Sequence, residues 1–127
     1  TMHRIKLLQG GDVNVLNGPD ETLLCGLAMG ADGGIGGTYN VMPKVFRALY
    51  DSFRAGDIAA AQRWQDKANR LIEVIIRFGV QATLKEILGR LGFDCGHCVY
   101  PQKRLNDEER AALMKALDDM AYEREYL

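Results

Sequence analysis

Apolar and polar residues are arranged along the chain in a pattern that predicts a short strand–helix–strand unit followed by several helices. Residues 1–8 have apolar side chains at helix-like spacing and predict the end of a helix that began earlier. Residues 13–16 predict a strand, which ends at the turn residues 17–19. Asp20 is then expected to cap a helix over residues 21–29.

A second strand is predicted over residues 33–37, although glycine weakens a strand unless another group packs closely against its backbone. Helices are predicted over residues 41–54 and 80–91. Between them, Asp57 is expected to cap a long amphipathic helix that is closed by Gly79. The apolar face of this long helix consists of Ala61, Trp64, Ala68, Leu71, Ile75 and Phe78.

The last part of the chain predicts a loop over residues 93–104 and a final helix that opens with a capping box, formed by Asn106 and Glu109. A strand–helix–strand crossover implies parallel strands, which belong in a sheet covered on both faces. Two such strands alone would leave buried sheet edges unpaired, so we expect this α/β chain to be part of a larger sheet.

Composition changes this picture little. The 127 residues suffice for one domain, and 47% hydrophobic and 26% charged residues are ordinary for a globular protein. The 16 basic and 17 acidic residues form no basic stripe that would predict nucleic-acid binding. No apolar run suits a membrane span, and three cysteines without a signal-peptide pattern favour the reducing cytoplasm.

Two carboxylates directly follow the first predicted strand, in residues 16–21 (LNGPDE). In a parallel α/β protein, ligands bind at the carboxyl ends of the strands, and paired carboxylates accept hydrogen bonds from sugar hydroxyls. The structural alternative is that Asp20 caps the next helix and Glu21 interacts with its dipole. Taken alone, the spacing favours the capping role.

A glycine-rich segment covers residues 31–40 (ADGGIGGTYN). No Gly-Lys-Ser/Thr sequence follows it, and its glycines are out of register with a dinucleotide-binding motif, so neither phosphate-binding class is predicted. The segment instead suits a barrel strand whose backbone approaches a small ligand at its carboxyl end. Tight strand packing without a ligand is the structural alternative.

Residues 95–98 (CGHC) are identical to the four-residue active-site sequence of protein disulfide isomerases. That chemistry requires the first cysteine at the start of a helix, where the dipole stabilises the thiolate. Here Pro101 follows closely, and a helix rather than a strand precedes the motif. A surface or packing loop is therefore the favoured interpretation, with a redox site and a zinc site as alternatives.

The lysines provide no candidate Schiff-base nucleophile. Such a lysine needs a desolvated pocket. All the lysines are expected to be solvated on helices or loops, namely Lys6, Lys44, Lys67, Lys85, Lys103 and Lys115. Neither histidine has a serine and an acid around it in an arrangement that would indicate a hydrolase triad.

Residues 15–21 (VLNGPDE) and 30–40 (GADGGIGGTYN) together resemble the last two barrel strands of the pyruvate-dependent class I aldolases, the family of N-acetylneuraminate lyase and dihydrodipicolinate synthase. Residues 82–88 (ATLKEIL) and 92–98 (GFDCGHC) are similar to the C-terminal helices of this family and the loop after them. The adjacent carboxylates of Asp20 and Glu21 favour the lyase branch.

The resemblance implies an α/β fold, the C-terminal portion of a TIM (β/α)8 barrel. Residues 1–55 would form its last βαβα segment, and residues 56–127 a helical C-terminal extension. It also implies reversible cleavage of N-acetylneuraminate to pyruvate and N-acetylmannosamine. The imine-forming lysine, the proton-shuttle tyrosine and a Gly-Ser/Thr-Thr-Gly-Glu loop are expected upstream, in an N-terminal part of the barrel absent from this chain. The chain alone is therefore expected to be inactive.

The sugar-side contacts carry over residue by residue. Gly18, Asp20 and Glu21 match family positions that bind the polyhydroxylated tail, and Gly37 matches a position usually occupied by a serine that contacts the substrate. Gly37 therefore removes one hydrogen bond of about 0.5–1.5 kcal/mol. Pro19 stands where the family commonly has an aromatic or larger residue. Both departures leave the identity of the sugar acid open.

The resemblance further implies a cytoplasmic homotetramer without cofactor or metal. Its ligands would be a keto-sugar acid and pyruvate, and this chain would pair with the N-terminal part of its own barrel. The alternative within this class is an aldolase or synthase of the same family acting on another keto acid. Alternatives from other classes are a thiol-redox protein that uses Cys95 and Cys98, and a noncatalytic half-barrel that binds a partner.

Overall fold

The computed structural model describes residues 2–127, except for the side chain of Gln9, and these residues contain two short strands and seven α-helices. The strands are β1 (Leu16–Asn17) and β2 (Gly33–Gly34). The helices are α1 (Met2–Lys6), α2 (Leu23–Ala28), α3 (Pro43–Arg54), α4 (Ile58–Phe78), α5 (Val80–Arg90), α6 (Asp107–Asp119) and α7 (Tyr122–Tyr126). Turns of 3-10 helix cover Leu8–Gly11, Asp20–Thr22 and Gly37–Asn40.

The two strands are parallel neighbours, with Leu16 opposite Gly33 and Asn17 opposite Gly34. The backbone N–H of Ile35 extends the ladder by donating to the Asn17 carbonyl at 2.9 Å. The predicted crossover unit is therefore confirmed, although both strands are shorter than the sequence pattern indicated.

One face of this sheet packs tightly against α2, which explains the glycines. A Cβ on Gly34 would lie 2.6 Å from the Leu23 side chain, and a Cβ on Gly26 would lie 2.6 Å from the Cβ of Asn17. These distances are too short for real Cβ contacts, so the close packing requires glycine on both sides of the layer. The close neighbour expected for the second strand is thus α2.

The main core lies between α2, α3 and α4, with α5, α6 and α7 packed around it. Asp57 caps α4 by accepting a hydrogen bond from the Ala60 N–H at 2.8 Å, as predicted. The predicted capping box of Asn106 and Glu109 opens α6. The C-terminal turn is attached to the core through Tyr122, which is fully buried and donates to the Val41 carbonyl at 2.5 Å.

Two expectations about local structure are wrong. Asp20 does not cap α2: it lies in a 3-10 turn before the helix, and the residue at the cap position, Thr22, makes no side-chain capping bond. Helix α7 was not predicted, because Ala121 breaks the helical pattern with a left-handed φ of 50° that is unusual for a residue with a Cβ.

The division of the chain at residues 55 and 56 stays a prediction. Within the described residues 2–127, no helix is both long and apolar enough to cross a membrane.

Candidate functional site

The carboxyl ends of β1 and β2 open onto a cavity of about 220 Å³. Residues 18–21, after β1, form one side of it, and residues 36–38, after β2, form the other. Ile72 and Ile76 of α4 contribute an apolar wall. The two segments singled out from the sequence therefore meet around one space, as the ends of neighbouring parallel strands do.

The Asp20 carboxylate joins the two strand ends. Asp20 is buried, with 9% of its surface exposed. Its Oδ2 accepts hydrogen bonds from the backbone N–H of Thr38 at 3.1 Å and from the Thr38 hydroxyl at 2.6 Å. Thr38 belongs to the 3-10 turn after β2, so Asp20 caps a turn that lies 18 residues further along the chain.

The other carboxylate oxygen of Asp20, Oδ1, has no hydrogen-bond partner within residues 2–127. It packs against Gly36, where a Cβ would overlap the carboxylate. The φ of Gly36 is −175°, which any residue can adopt, so glycine is needed here for space alone. Oδ1 is thus a buried acceptor whose hydrogen-bonding capacity is not used within the described residues.

The other three predicted sugar-side residues are exposed around the same cavity. Glu21 and Gly18 lie on the β1 side and Gly37 lies on the β2 side. The two adjacent carboxylates therefore differ in character, because Thr38 fixes Asp20 whereas the Glu21 side chain is open to solvent. The ligand roles of these residues stay predictions.

Gly37 lies close to the side chain of Leu84 on α5. A Cβ at position 37 would be 3.0 Å from Leu84 Cδ1, and Leu84 is itself buried. A serine at this position would therefore require Leu84 to move. Leu84 therefore takes up part of the space that a side chain at position 37 would need.

Helix α4 supplies polar contacts that sequence reasoning missed. Gln65 is buried at 8% exposure; its Nε2 donates to the Asp20 carbonyl at 3.1 Å, and its Oε1 accepts from the Leu24 N–H at 3.0 Å. Asn69 donates through Nδ2 to the Glu21 carbonyl at 3.3 Å. The available signal was the polar Gln65, four residues after buried Ala61, on the apolar stripe of an amphipathic helix.

Tyr39 lies behind the site and stacks on Phe46, with ring centroids 4.0 Å apart. Its hydroxyl is buried and has no hydrogen-bond partner among the described residues. Burial, and secondarily the charge of Asp20, raises the pKa of Tyr39 to about 12. The neutral phenol is therefore the form present at physiological pH.

No lysine of the described residues lines the cavity. Lys6, Lys67 and Lys85 are partly exposed and the other three lysines are exposed, so none of the six is buried. Lys6 lies near the amino-terminal ends of the strands, where its Nζ is 2.7 Å from the Asp32 carboxylate. That ion pair, together with a hydrogen bond from the Val15 N–H, lowers the pKa of Asp32.

The Cys-x-x-Cys segment lies in irregular chain after α5, as predicted, with Cys95 exposed and Cys98 buried. Lys85 Nζ contacts the Cys95 carbonyl at 2.5 Å, and Arg104 Nε contacts the Cys98 carbonyl at 3.0 Å. The helix start that disulfide-isomerase chemistry requires is not found at Cys95. Within residues 2–127, no group of three or more His, Cys, Asp or Glu side chains is placed to hold a metal ion.

Residues 1–120 match the profile of the Dihydrodipicolinate synthetase family. This match includes both strands, the cavity and most of the helices. The chain belongs to that family.

Named relatives point to one branch of it. The chain is 44% identical over 106 residues to an N-acetylneuraminate lyase of Rhizobium meliloti, a match that covers 84% of this chain and 36% of the relative. The structure of Proteus mirabilis N-acetylneuraminate lyase superposes with a TM-score of 0.85 at 28% identity, covering 94% of this chain and 41% of that one. For a catalytic lysine mutant of Ruminococcus gnavus sialic acid aldolase, the TM-score is 0.84 at 29% identity, with coverage of 99% and 43%. The chain thus spans well under half the length of these relatives.

Proposed function

We propose that this chain is the C-terminal portion of a TIM (β/α)8 barrel. We further propose that the complete barrel is a Schiff-base aldolase that reversibly cleaves N-acetylneuraminate to pyruvate and N-acetylmannosamine. The observation that carries the proposal is the cavity at the strand ends, where Asp20 and Glu21 face Gly37 in a chain 44% identical to an N-acetylneuraminate lyase. A homotetrameric state and a cytoplasmic location are parts of the same proposal.

The open face of the sheet supports the barrel. Side chains of a strand alternate between the two faces, so Leu16 and Ile35 lie opposite the face covered by α2. They are exposed at 51% and 64%, respectively. Further strands of a closed barrel would cover both residues and pair the free sheet edges.

In the proposed reaction, a lysine of the preceding part of the barrel forms an imine with the keto group of the sugar acid. The bond between the carbon next to the imine and the hydroxyl-bearing carbon then breaks. The hydroxyl loses its proton and becomes the aldehyde of N-acetylmannosamine, while the electron pair forms the enamine of pyruvate. Protonation of the enamine and hydrolysis of the imine release pyruvate and regenerate the lysine.

The residues of this chain would bind and orient the sugar in that reaction. The carboxylates of Asp20 and Glu21 would each accept hydrogen bonds from hydroxyls of the polyhydroxylated tail. Because Thr38 holds Asp20 in one position, its acceptor is placed before the ligand arrives, which lowers the entropic cost of binding. Neither carboxylate forms or breaks a covalent bond in the proposed reaction.

The test uses the complete barrel, either as the full-length protein that carries this chain or as this chain fused to the N-terminal part of the Rhizobium meliloti relative. Borohydride reduction with pyruvate should trap an adduct on the complete barrel and none on residues 1–127 alone. Asp20→Asn and Glu21→Gln should raise the KM for N-acetylneuraminate and leave adduct formation unchanged. Asp66→Asn, at an exposed position on α4 outside the cavity, is the matched control.

Three results would contradict the proposal. An adduct on the isolated chain would mean that the nucleophile lies within it. A complete barrel that forms the pyruvate adduct without cleaving N-acetylneuraminate would favour the alternative keto acid, which Pro19 and Gly37 leave open. Unchanged KM values in both carboxylate variants would remove these residues from the sugar site.

A further inference from the structure

Helix α4, which lines the cavity through Ile72 and Ile76, also contacts the backbone of the two candidate sugar-binding acids. Gln65 Nε2 donates to the Asp20 carbonyl at 3.1 Å, and Asn69 Nδ2 donates to the Glu21 carbonyl at 3.3 Å. The two amides are also joined to each other, because Gln65 Nε2 donates to Asn69 Oδ1 at 3.0 Å. The bond to the Asp20 carbonyl joins residues 45 positions apart in the sequence, and the bond to the Glu21 carbonyl joins residues 48 positions apart.

The Gln65 amide has each of its polar atoms engaged. Its nitrogen makes two bonds, to the Asp20 carbonyl and Asn69, and its oxygen accepts from the Leu24 N–H at 3.0 Å. Gln65 thereby links the turn that carries the acids to the start of α2. The turn has no side-chain cap of its own at its N-terminus. Within the segment the Asp20 carbonyl accepts from the Leu23 N–H, and the bonds from α4 add to this contact.

We propose that Gln65 and Asn69 are positioning residues for sugar binding, acting through the backbone of Asp20 and Glu21. This inference rests on the proposed function. A hydrogen bond to each carbonyl fixes where the two side chains leave the backbone, and thus where their oxygens meet the sugar hydroxyls. We call the two amides, Gln65 and Asn69, the clamp. Loss of the clamp should weaken binding of the sugar acid without affecting the imine with pyruvate, which forms on another part of the barrel.

The sharpest variants are Gln65→Leu and Gln65→Glu in the complete barrel. Gln65→Leu removes the donor and the acceptor, and should raise the KM for N-acetylneuraminate about 3- to 10-fold, the effect of losing one or two ordinary hydrogen bonds. Gln65→Glu keeps the shape and the acceptor for the Leu24 N–H, but donates to the Asp20 carbonyl only when protonated. The ratio of its KM to that of the unmodified barrel should therefore fall as pH is lowered from about 8 to about 5.5, because burial favours the protonated acid.

Controls separate positioning from general damage. Gln62→Leu and Gln62→Glu place the same changes at an exposed position of α4 and should leave KM within about 2-fold of the unmodified barrel. Asn69→Ala removes only the bond to Glu21 and the acceptor for Gln65, so a rise of about 2- to 5-fold is expected. The rate of borohydride trapping with pyruvate should be unchanged in every variant.

The outcomes keep this inference distinct from the proposed function. If Asp20→Asn raises KM but the Gln65 and Asn69 variants do not, the clamp has no positioning role. The inference is also overturned if the KM of Gln65→Glu, divided by the KM of the unmodified barrel, does not change with pH. If Asp20→Asn and Glu21→Gln both leave KM unchanged, the proposed sugar site has failed, whatever the Gln65 and Asn69 variants do. Should Gln65→Leu not fold, the isosteric Gln65→Glu and Asn69→Ala still decide the question.

Discussion

Substitution of Gly36 by alanine should displace the Asp20 carboxylate. A Cβ at this position would overlap the carboxylate, with Oδ2 2.6 Å away and Oδ1 closer still. The Gly36 backbone is extended, at φ −175° and ψ 164°, so alanine adds no conformational strain of its own. Any loss of stability therefore reports the collision with Asp20 and the contacts that Asp20 makes.

The magnitude follows from the two bonds between Asp20 and Thr38. Each hydrogen bond to a charged group contributes about 1.5–3 kcal/mol, so complete loss of both would cost about 3–6 kcal/mol. The adjacent cavity of about 220 Å³ gives the displaced carboxylate access to water, which offsets part of this loss. We expect Gly36→Ala to lower the free energy of unfolding by about 2–4 kcal/mol.

A double-mutant cycle isolates the cause. Urea unfolding would be measured for the complete barrel, for Gly36→Ala, for Asp20→Ala and for the double variant. Without the carboxylate there is nothing for the new methyl group to strike. Gly36→Ala should therefore change the free energy of unfolding by no more than about 0.5 kcal/mol in the Asp20→Ala background.

Gly18→Ala is the matched control, because a Cβ at Gly18 meets no atom within 4 Å. It should be neutral or slightly stabilising, since alanine restricts the unfolded chain more than glycine does. Equal costs for Gly36→Ala in the presence and absence of the Asp20 carboxylate would refute the reasoning. So would a cost for Gly18→Ala as large as that for Gly36→Ala.

Three further predictions concern the surroundings of the site. Gly37→Ser should lower the urea midpoint because its Cβ would lie 3.0 Å from Leu84, and Leu84→Val should recover more of that loss than additivity allows. Because the pKa of Tyr39 is raised to about 12, the contribution of Tyr39 to the free energy of unfolding should be constant below its ordinary pKa of 10.0 and should fall as pH rises from 10.0 towards 12. Tyr39→Phe should therefore lose less stability than the unmodified barrel over this pH range, measured as a series of unfolding midpoints. Lys6 lowers the pKa of Asp32, so the Asp32 carboxylate stabilises the fold at pH values above its ordinary pKa of 3.8, and this contribution is lost as pH falls through the lowered pKa. In Asp32→Asn the unfolding midpoint should therefore fall less at acidic pH than in the unmodified barrel.

The helices were the part of the fold most open to prediction, because local signals define them. Asp57 and the capping box of Asn106 and Glu109 mark their helix starts through contacts made within three residues, so the sequence window contains both partners. Helix α7 was not predicted because the residue before it, Ala121, adopts a left-handed conformation. The hydrogen bond from Tyr122 to the Val41 carbonyl, across 81 positions of sequence, attaches this turn to the core and could not be predicted from local sequence.

The location of the site was predictable from the sequence, whereas the hydrogen bonds within it were not. The juxtaposition of residues 18–21 with residues 36–38 follows from parallel strand order, which the sequence pattern indicated. The role of Asp20 as a cap for a distant turn could not be read locally, since an aspartate before a helical stretch satisfies the rule for a local cap equally well. What decided between the two was the position of Thr38, whose N–H and hydroxyl both lie within reach of the carboxylate.

The helices after residue 55 are thus part of what holds the site, and do more than cover the sheet. The carbonyls of Asp20 and Glu21 each accept a hydrogen bond from α4, and Leu84 of α5 limits the space beside Gly37. Thr38 fixes the Asp20 carboxylate, and the amides of Gln65 and Asn69 fix the backbone from which both acid side chains extend. The direction of these side chains is therefore set by residues 18 to 48 positions away in the sequence, so a change in α4 can alter the site without touching either acid.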